Sequence, residues 1–103
     1  MAEQLLSDVK VLDVTHCIAG PFCTKILAEL GADVLKIEQP GVGDPARRMG
    51  PFFGDEPDPE KSGPFLYLNT NKRGITLNLK SETGAKIFKQ LVADVDVLVE
   101  NFE

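Results

Sequence analysis

The stretch from Val11 to Glu38, VLDVTHCIAGPFCTKILAELGADVLKIE, allows few folds. It reads as strand, tight turn, helix and strand, and a parallel βαβ unit is the simplest arrangement that uses all four. Val9 to Val14 is nearly continuous in apolar and β-branched residues, with Lys10 and Asp13 its only charges, as expected of a strand covered on both faces. The turn from His16 to Gly20 breaks it. Pro21 suits the first helical position, where its missing N–H removes no intrahelical bond, and Gly31 suits the far end, where a left-handed residue closes a helix; together they predict a helix over about Pro21 to Leu30. Phe22, Ile26 and Leu30 fall on one stripe with Cys23 and Leu27 beside them, while Lys25 and Glu29 take the other side, so the apolar stripe is expected to lie on the sheet. Asp33 to Glu38 supplies a second short buried strand through Val34, Leu35 and Ile37, and a right-handed crossover makes it parallel to the first. Ligands in such sheets bind beyond the strand C-termini, an edge that here holds Thr15 to Gly20 and Glu38 with Gln39.

Beyond Glu38 the pattern dissolves. Residues 39–65 hold six of the seven prolines and five of the nine glycines, so they read as one long loop, of the kind that serves as a lid or binding loop or stays disordered. Order returns with FLYLN, a short apolar piece from Phe65. NKRG then reads as a turn carrying two positive charges, and Ile75 to Leu79 alternates as a strand. Ser81 is a good N-cap with Glu82 supporting the first turn, and the helix it opens runs to about Ala93, with Phe88, Val92, Ile87 and Leu91 on one face. Asp96 to Glu100 carries Val97, Leu98 and Val99 as another buried strand. The sequence then stops three residues later, where a ligand-facing loop is expected to begin; doubly wound folds rarely end there, so a fragment of a longer protein is expected.

Hydrophobic content of 43% and charged content of 26% over 103 residues are ordinary for one folded domain. Sixteen acidic against eleven basic residues give a formal net charge of -5, which disfavours a nonspecific nucleic-acid binder while leaving room for a local phosphate site. The opening residues AEQLLSDVK lack the basic start and apolar stretch of a signal peptide, and no run approaches transmembrane length, so a cytoplasmic protein without membrane contact is expected. Cys17 and Cys23 form no metal pattern with the single His16 and are expected to be free buried thiols, with no metal bound.

Strand, glycine turn, helix and a second strand ending in an acid invite a dinucleotide-binding reading. The turn has one glycine where that fingerprint needs three, however, and Pro21 removes an N–H that would face a pyrophosphate. His16 beside Cys17 suggests a nucleophile and base, but neighbours in an extended segment point to opposite faces, and Thr15 and Asp13 complete no triad; a turn histidine bonded locally is the plainer reading. Lys72 with Arg73, and Arg47 with Arg48, each read either as phosphate ligands or as solvated turns. Asp55, Glu56, Asp58 and Glu60 lack the register of a calcium loop and are expected to be solvated.

Taken together, VLDVTHCIAGPFCTKILAELGADVLKIE, then GD followed by arginine, then LNTNKRGITLNLK and finally DVLVENF resemble, in order and spacing, the N-terminal part of the class III coenzyme A transferases. That group includes formyl-CoA and carnitine-CoA transferases and the related α-methylacyl-CoA racemases. The resemblance runs from about residue 9 onward. It implies an α/β fold, a Rossmann-like parallel sheet with crossover helices, in which residues 1–103 are the incomplete N-terminal CoA-binding part of a larger interlinked homodimer. It implies transfer of CoA between an acyl-CoA thioester and a carboxylic acid through intermediates on an aspartate that lies downstream of these residues. No acid here matches that aspartate, so no catalytic residue is assigned, Asp33 and Glu38 are not promoted to the role, and these residues alone are expected to be inactive. A racemase of the same family and a non-catalytic CoA- or nucleotide-binding module are the alternatives; a downstream histidine and aspartate pair, or a gene that ends after Glu103, would mark them.

Contacts to CoA are carried over residue by residue. Ile18 and Ala19 match the pair before the family's Gly-Pro, whose backbone lies near the CoA. Gln39 stands where formyl-CoA transferase has an arginine at the nucleotide end, which weakens an expected charge contact. Leu77, Asn78, Leu79 and Lys80 match a stretch that lines the adenine and phosphate region, with Lys80 the natural cation. Asn101 and Phe102 match the edge of the next strand.

Overall fold

The computed structural model describes residues 4–102; Met1 to Glu3 and Glu103, with the expectations that touch them, lie outside the described residues. Four parallel strands, β1 (Lys10–Asp13), β2 (Asp33–Glu38), β3 (Arg73–Thr76) and β4 (Val97–Val99), form one sheet in the order β3-β2-β1-β4. The order runs outward from β1 to β3 on one side and restarts with β4 on the other, so the chain reverses direction across the sheet between β1 and β4, where doubly wound sheets open a crevice. Three helices connect the strands: α1 (Ala19–Glu29), α2 (Gly63–Leu68) and α3 (Glu82–Ala93). The expected α/β fold with crossover helices is the observed one.

Alternation along the strands sorts the core into two clusters. Val11 and Val34 pack with Ala28 and Ala32 on one face, while Leu12, Val14 and Ile37 face Phe88, Leu91 and Val92 of α3 on the other. The first face changes character along its length. Past Val11 and Val34, the next inward residues are Asp13 and Lys36, partners in register on neighbouring strands and both buried.

That change corrects the orientation expected of α1. Pro21, Thr24, Lys25 and Ala28 are its buried residues, together with Gly20, whereas Phe22 (46%), Ile26 (38%) and Leu30 (41%) are exposed. A sheet face that ends in charges selects small and hydroxyl side chains opposite it, so Thr24 donates its Oγ1 proton to Asp13 at 2.7 Å and Ala28 lets the helix approach. Lys25 lies with its ammonium 4.6 Å from the centre of the Tyr67 ring and paired to Glu29. Helix α1 also starts two residues earlier than expected, which places Pro21 third rather than first; this still falls among the N–H groups that a helix leaves unbonded. At the other end Gly31, with φ of 106°, donates to Ala28 O and Ala32 donates to Leu27 O, both at 3.0 Å, the double closure of a Schellman motif.

Residues 39–65 are built rather than featureless. Two 3-10 turns, Pro45–Arg48 and Phe53–Asp55, interrupt the segment, and it ends in α2, which the apolar piece FLYL enters as a helix. Ser62 accepts from Phe65 N to cap α2, and its hydroxyl lies 2.7 Å from both Ala46 O and Met49 O, its one proton serving one of them at a time. Ala46 is fully buried. Strand β3 sits two residues before its expected place, and β4 is an edge strand with Val97 and Leu98 exposed rather than buried. Helix α3 agrees with expectation, with Ser81 accepting from Gly84 N at 2.9 Å, although Ile87 is exposed. Among the described residues no helix is long and apolar enough to cross a membrane.

Candidate functional site

A cleft of about 460 Å³ opens beyond the C-terminal ends of the strands. Val14 and Ile37 form its floor where β1 and β2 end, Leu77 and Leu79 form a wall after β3, and Phe102 closes the side beyond β4. The fourth side comes from the connection after β2, through Val42, Asp44 and Arg48. An apolar slot with a few polar groups at its rim is the usual build of a small-molecule site.

Below the cleft lies a buried set of charges. Asp13 (0% exposed side chain) pairs with Lys72 (2%) at 2.9 Å and accepts from Thr15 N, Thr15 Oγ1 and Thr24 Oγ1. Burial alone would raise the Asp13 pKa; the hydrogen bonds from Thr15 and Thr24 and the charges of Lys36 and Lys72 outweigh it and hold the carboxyl below its ordinary value. Burial dominates at Lys72, and its pKa is lowered despite Asp13. The partners therefore differ: the site favours the carboxylate more than it favours the ammonium. Lys36 donates to Thr15 O at 3.1 Å and lies 2.9 Å from Asp44 Oδ2; that approach compensates charge without hydrogen-bond geometry, since Asp44 Oδ2 has no hydrogen-bond donor. Lys72, for which the sequence offers a phosphate ligand or a solvated turn residue, is a buried structural cation instead. Its ammonium also reaches Pro21 O and Asn69 Oδ1, tying the turn before β3 to α1.

Asp44 and Asn101 hold the turn after β1. Asp44 Oδ1 accepts from Cys17 N and Ala46 N, each at 2.9 Å, while Cys17 sits at φ of 68°. Asn101 accepts from His16 N at 3.1 Å and donates to His16 O at 2.9 Å, so one side chain replaces the next rung of the ladder between β1 and β4. Gly20 is required here because a Cβ would lie 2.4 Å from Thr15 Cβ. Beyond β2, Glu38 takes a two-point bond from Arg47 at 2.7 and 2.8 Å and a third from Asp44 N at 2.7 Å. Burial would raise the Glu38 pKa, and these bonds with the Arg47 charge lower it instead; the same bond raises that of Arg47, against its own burial. The Arg47 guanidinium also stacks 3.8 Å from the centre of the Phe65 ring, which makes Arg47 a structural residue.

Of the residues expected to contact CoA, Gln39, Leu77, Asn78, Leu79, Lys80 and Phe102 line the cleft. Asn78 O accepts from Ser81 N at 3.2 Å and Asn78 Oδ1 accepts from Lys80 N at 3.0 Å, a turn that sets Lys80 at the rim. Ile18 and Ala19 do not line it. They are exposed, lie two and three positions after its lining residue His16, and start α1 without a side-chain cap. Asn101 has its amide committed to His16, and its neighbour Phe102 brings its ring 5.8 Å from the His16 ring. His16, within the turn expected at the ligand edge, and Arg48, for which phosphate binding is one of the two sequence readings, both line the cleft; Asp44 is the lining residue that sequence reasoning did not assign to a site. The available signal was the pairing of isolated charges, Asp13 and Lys36, inside two apolar strands, which marks a polar site at that end of the sheet.

The sequence profile of CoA-transferase family III matches residues 6–103. The chain belongs to CoA-transferase family III. It is 48% identical over 98 residues to succinyl-CoA:glutarate CoA-transferase of Homo sapiens, covering 94% of this chain and 21% of that protein. Identity is 45% over 98 residues to succinyl-CoA:mesaconate CoA-transferase of Haloarcula marismortui (95% and 24%), and 47% over 97 residues to formyl-CoA:oxalate CoA-transferase of Escherichia coli (94% and 22%). Among solved structures, a CAIB/BAIF family protein from Brucella suis superposes with a TM-score of 0.85 at 37% identity, covering 98% of this chain and 26% of that one. A protein from Mycobacterium tuberculosis gives 0.82 at 33%, covering 96% and 25%. The chain thus spans about a fifth to a quarter of the length of these relatives.

Proposed function

We propose that these residues are the CoA-binding part of an enzyme that moves CoA between an acyl-CoA thioester and a carboxylic acid. The observation that carries this reading is the cleft at the strand C-terminal edge of a family III chain, with an apolar slot between Leu77, Leu79 and Phe102 and a cation, Lys80, at its rim. An adenine fits such a slot, and phosphates need such a cation. Ile18 and Ala19, at the uncapped start of α1, supply main-chain contacts to the pantetheine arm. Asn101 acts indirectly, by holding His16.

The nucleophile comes from outside these residues. Transfer of this type needs a carboxylate free to attack the thioester carbonyl and expel the CoA thiolate. Asp44 lines the cleft but spends Oδ1 on two backbone amides and sets Oδ2 against Lys36, Glu38 is held by Arg47, and Asp13 is fully buried. The isolated residues are therefore inactive. The two thiols are free but not buried as expected, since Cys23 lies on the exposed side of α1 and Cys17 is half-buried; free thiols suit the reducing cytoplasm. The exposed stripe of Phe22, Ile26 and Leu30 supports an interlinked homodimer, in which such apolar surface is covered.

The test offers the protein expressed from its own gene a panel of acyl-CoA donors with free acids and follows CoA exchange by mass spectrometry. Exchange is expected, and Lys80→Ala should weaken CoA binding by about 1.5–3 kcal/mol in calorimetric titration. Epimerisation of an acyl-CoA without exchange would replace the reading with the racemase. CoA binding without either reaction would leave a binding module, and no affinity for CoA would remove the reading altogether.

A further inference from the structure

The chain as a whole is acidic, with a formal net charge of -5, so an anionic ligand is attracted only where cations stand unneutralised. Most cations near the sheet edge are already consumed. Lys36 faces Asp44, Lys72 faces Asp13, Arg47 is held by Glu38 and Glu60, and Arg73 by Asp33. Two cations line the cleft with no carboxylate partner among the described residues, Lys80 and Arg48. They come from different segments, Lys80 from the turn between β3 and α3 and Arg48 from the end of the 3-10 turn after β2. Arg48 is exposed, yet it is anchored: its Nη1 donates to the carbonyl of Val42, itself a lining residue, at 3.0 Å. One arm of the guanidinium is fixed to the cleft wall, and among the described residues the Nε and Nη2 donors have no protein acceptor. Gln39, on the same rim, offers an amide and no charge.

We propose that Arg48 reads the 3′-phosphate of CoA and so makes the cleft selective for the 3′-phosphorylated cofactor. This rests on the reading of the cleft as a CoA site. A terminal phosphate monoester carries about 1.5 to 2 negative charges at neutral pH, which two cations from two segments match, whereas each group of the internal diphosphate carries one. Arginine adds what Lys80 lacks, a planar fork that bonds two phosphate oxygens together. The charge that Gln39 does not provide thus enters from the neighbouring loop.

Calorimetric titration of the full-length protein with CoA and with 3′-dephospho-CoA tests this, using the unaltered protein, Arg48→Ala and Arg48→Lys. The unaltered protein should prefer CoA by about tenfold or more, the scale of a lost hydrogen bond to a charged group. Arg48→Ala should lose that preference by weakening CoA while its affinity for dephospho-CoA stays within about twofold, and Arg48→Lys, which keeps the charge without the fork, should retain part of it. Equal affinity of the unaltered protein for both ligands overturns the proposal, as does a preference that survives in Arg48→Ala; in both cases CoA still binds and the reading of the cleft stands. Failure of the unaltered protein to bind either ligand removes that reading and the proposal with it. Should Arg48→Ala not fold, the ratio of affinities in Arg48→Lys decides: an undiminished preference still overturns the assignment of the guanidinium fork.

Discussion

Replacing either member of the Asp13 and Lys72 pair tests the charge set beneath the cleft, and the two replacements should not cost the same. At 2.9 Å, with an effective dielectric constant of about 20, the gross attraction is about 6 kcal/mol, most of it offset by the desolvation of both groups. Lys72→Met keeps the aliphatic stem and removes the ammonium. Asp13 then retains its bonds from Thr15 and Thr24 and its neighbour Lys36, and the cost of burying Lys72 disappears, so a loss near the low end for a broken buried pair is expected, about 3 kcal/mol. Asp13→Asn keeps the shape but leaves Lys36 and Lys72 facing only Asp44, and turns an amide N–H₂ toward hydroxyl donors; its loss should lie near the upper end, about 5 kcal/mol. Urea unfolding followed by circular dichroism reads both, since even 3 kcal/mol moves the midpoint by about 1 M or more. A larger loss in Lys72→Met than in Asp13→Asn, or losses under about 1 kcal/mol in both, would refute the asymmetry argued from the pair.

A Cβ at Gly84 would lie 1.8 Å from Asn78 O, so Gly84→Ala should displace the turn carrying Lys80, costing more than about 3 kcal/mol of stability and lowering CoA affinity in calorimetry together. Asn101→Ala should leave both backbone groups of His16 without partners, lowering stability by about 1–2 kcal/mol and speeding amide exchange at His16 and Cys17. Asp13 and Glu38 both have lowered pKa values in the folded state, so each contributes stability that is complete above its ordinary value, 3.8 and 4.5 respectively, and is lost as pH falls through the lower folded value. The urea midpoint should accordingly hold between about pH 5 and 7 and decline below about pH 4, with Arg47→Leu removing the Glu38 share of that decline.

Much of the βαβ frame was legible because its punctuation is strong. Strand β2 has the bounds read from Asp33 to Glu38, Gly31 closes α1, and Ser81 opens α3. A hydrophobic stripe is read as facing the core, whereas α1 buries its small and polar side: Thr24 bonds Asp13 at the charged end of this sheet face, Ala28 packs on Val11 and Val34, and Lys25 is held by Glu29 and Tyr67. Strand β3 was placed late since the alternation continues past the last paired residue, Thr76, as Leu77 and Leu79 turn inward against the core beside Phe88 without extending the ladder. Helix α2 is too short to show a period, although Ser62 and Pro64 carried its start signal. Six of the residues matched to CoA contacts fall on the cleft because they follow strand ends: Gln39 follows the β2 end expected from sequence, and Leu77 to Lys80 follow a β3 that ends three residues earlier than expected. The wall from Val42 to Arg48 was not legible, because its place depends on Glu38 and Lys36 bonding to residues six to nine positions onward, which no local pattern encodes.

Two acids and two lysines, Asp13, Asp44, Lys36 and Lys72, form a balanced set within the sheet edge, drawn from four different segments. Such a set constrains which sequences can be reached by single steps. Changing one member leaves an odd buried charge and falls into a stability valley, while exchanging an acid together with its lysine for neutral partners crosses it. A library randomised at these four positions and at Arg48, selected for folding, should therefore return substitutions at the four in opposite-charge pairs, while Arg48, outside the balance, should vary without a companion.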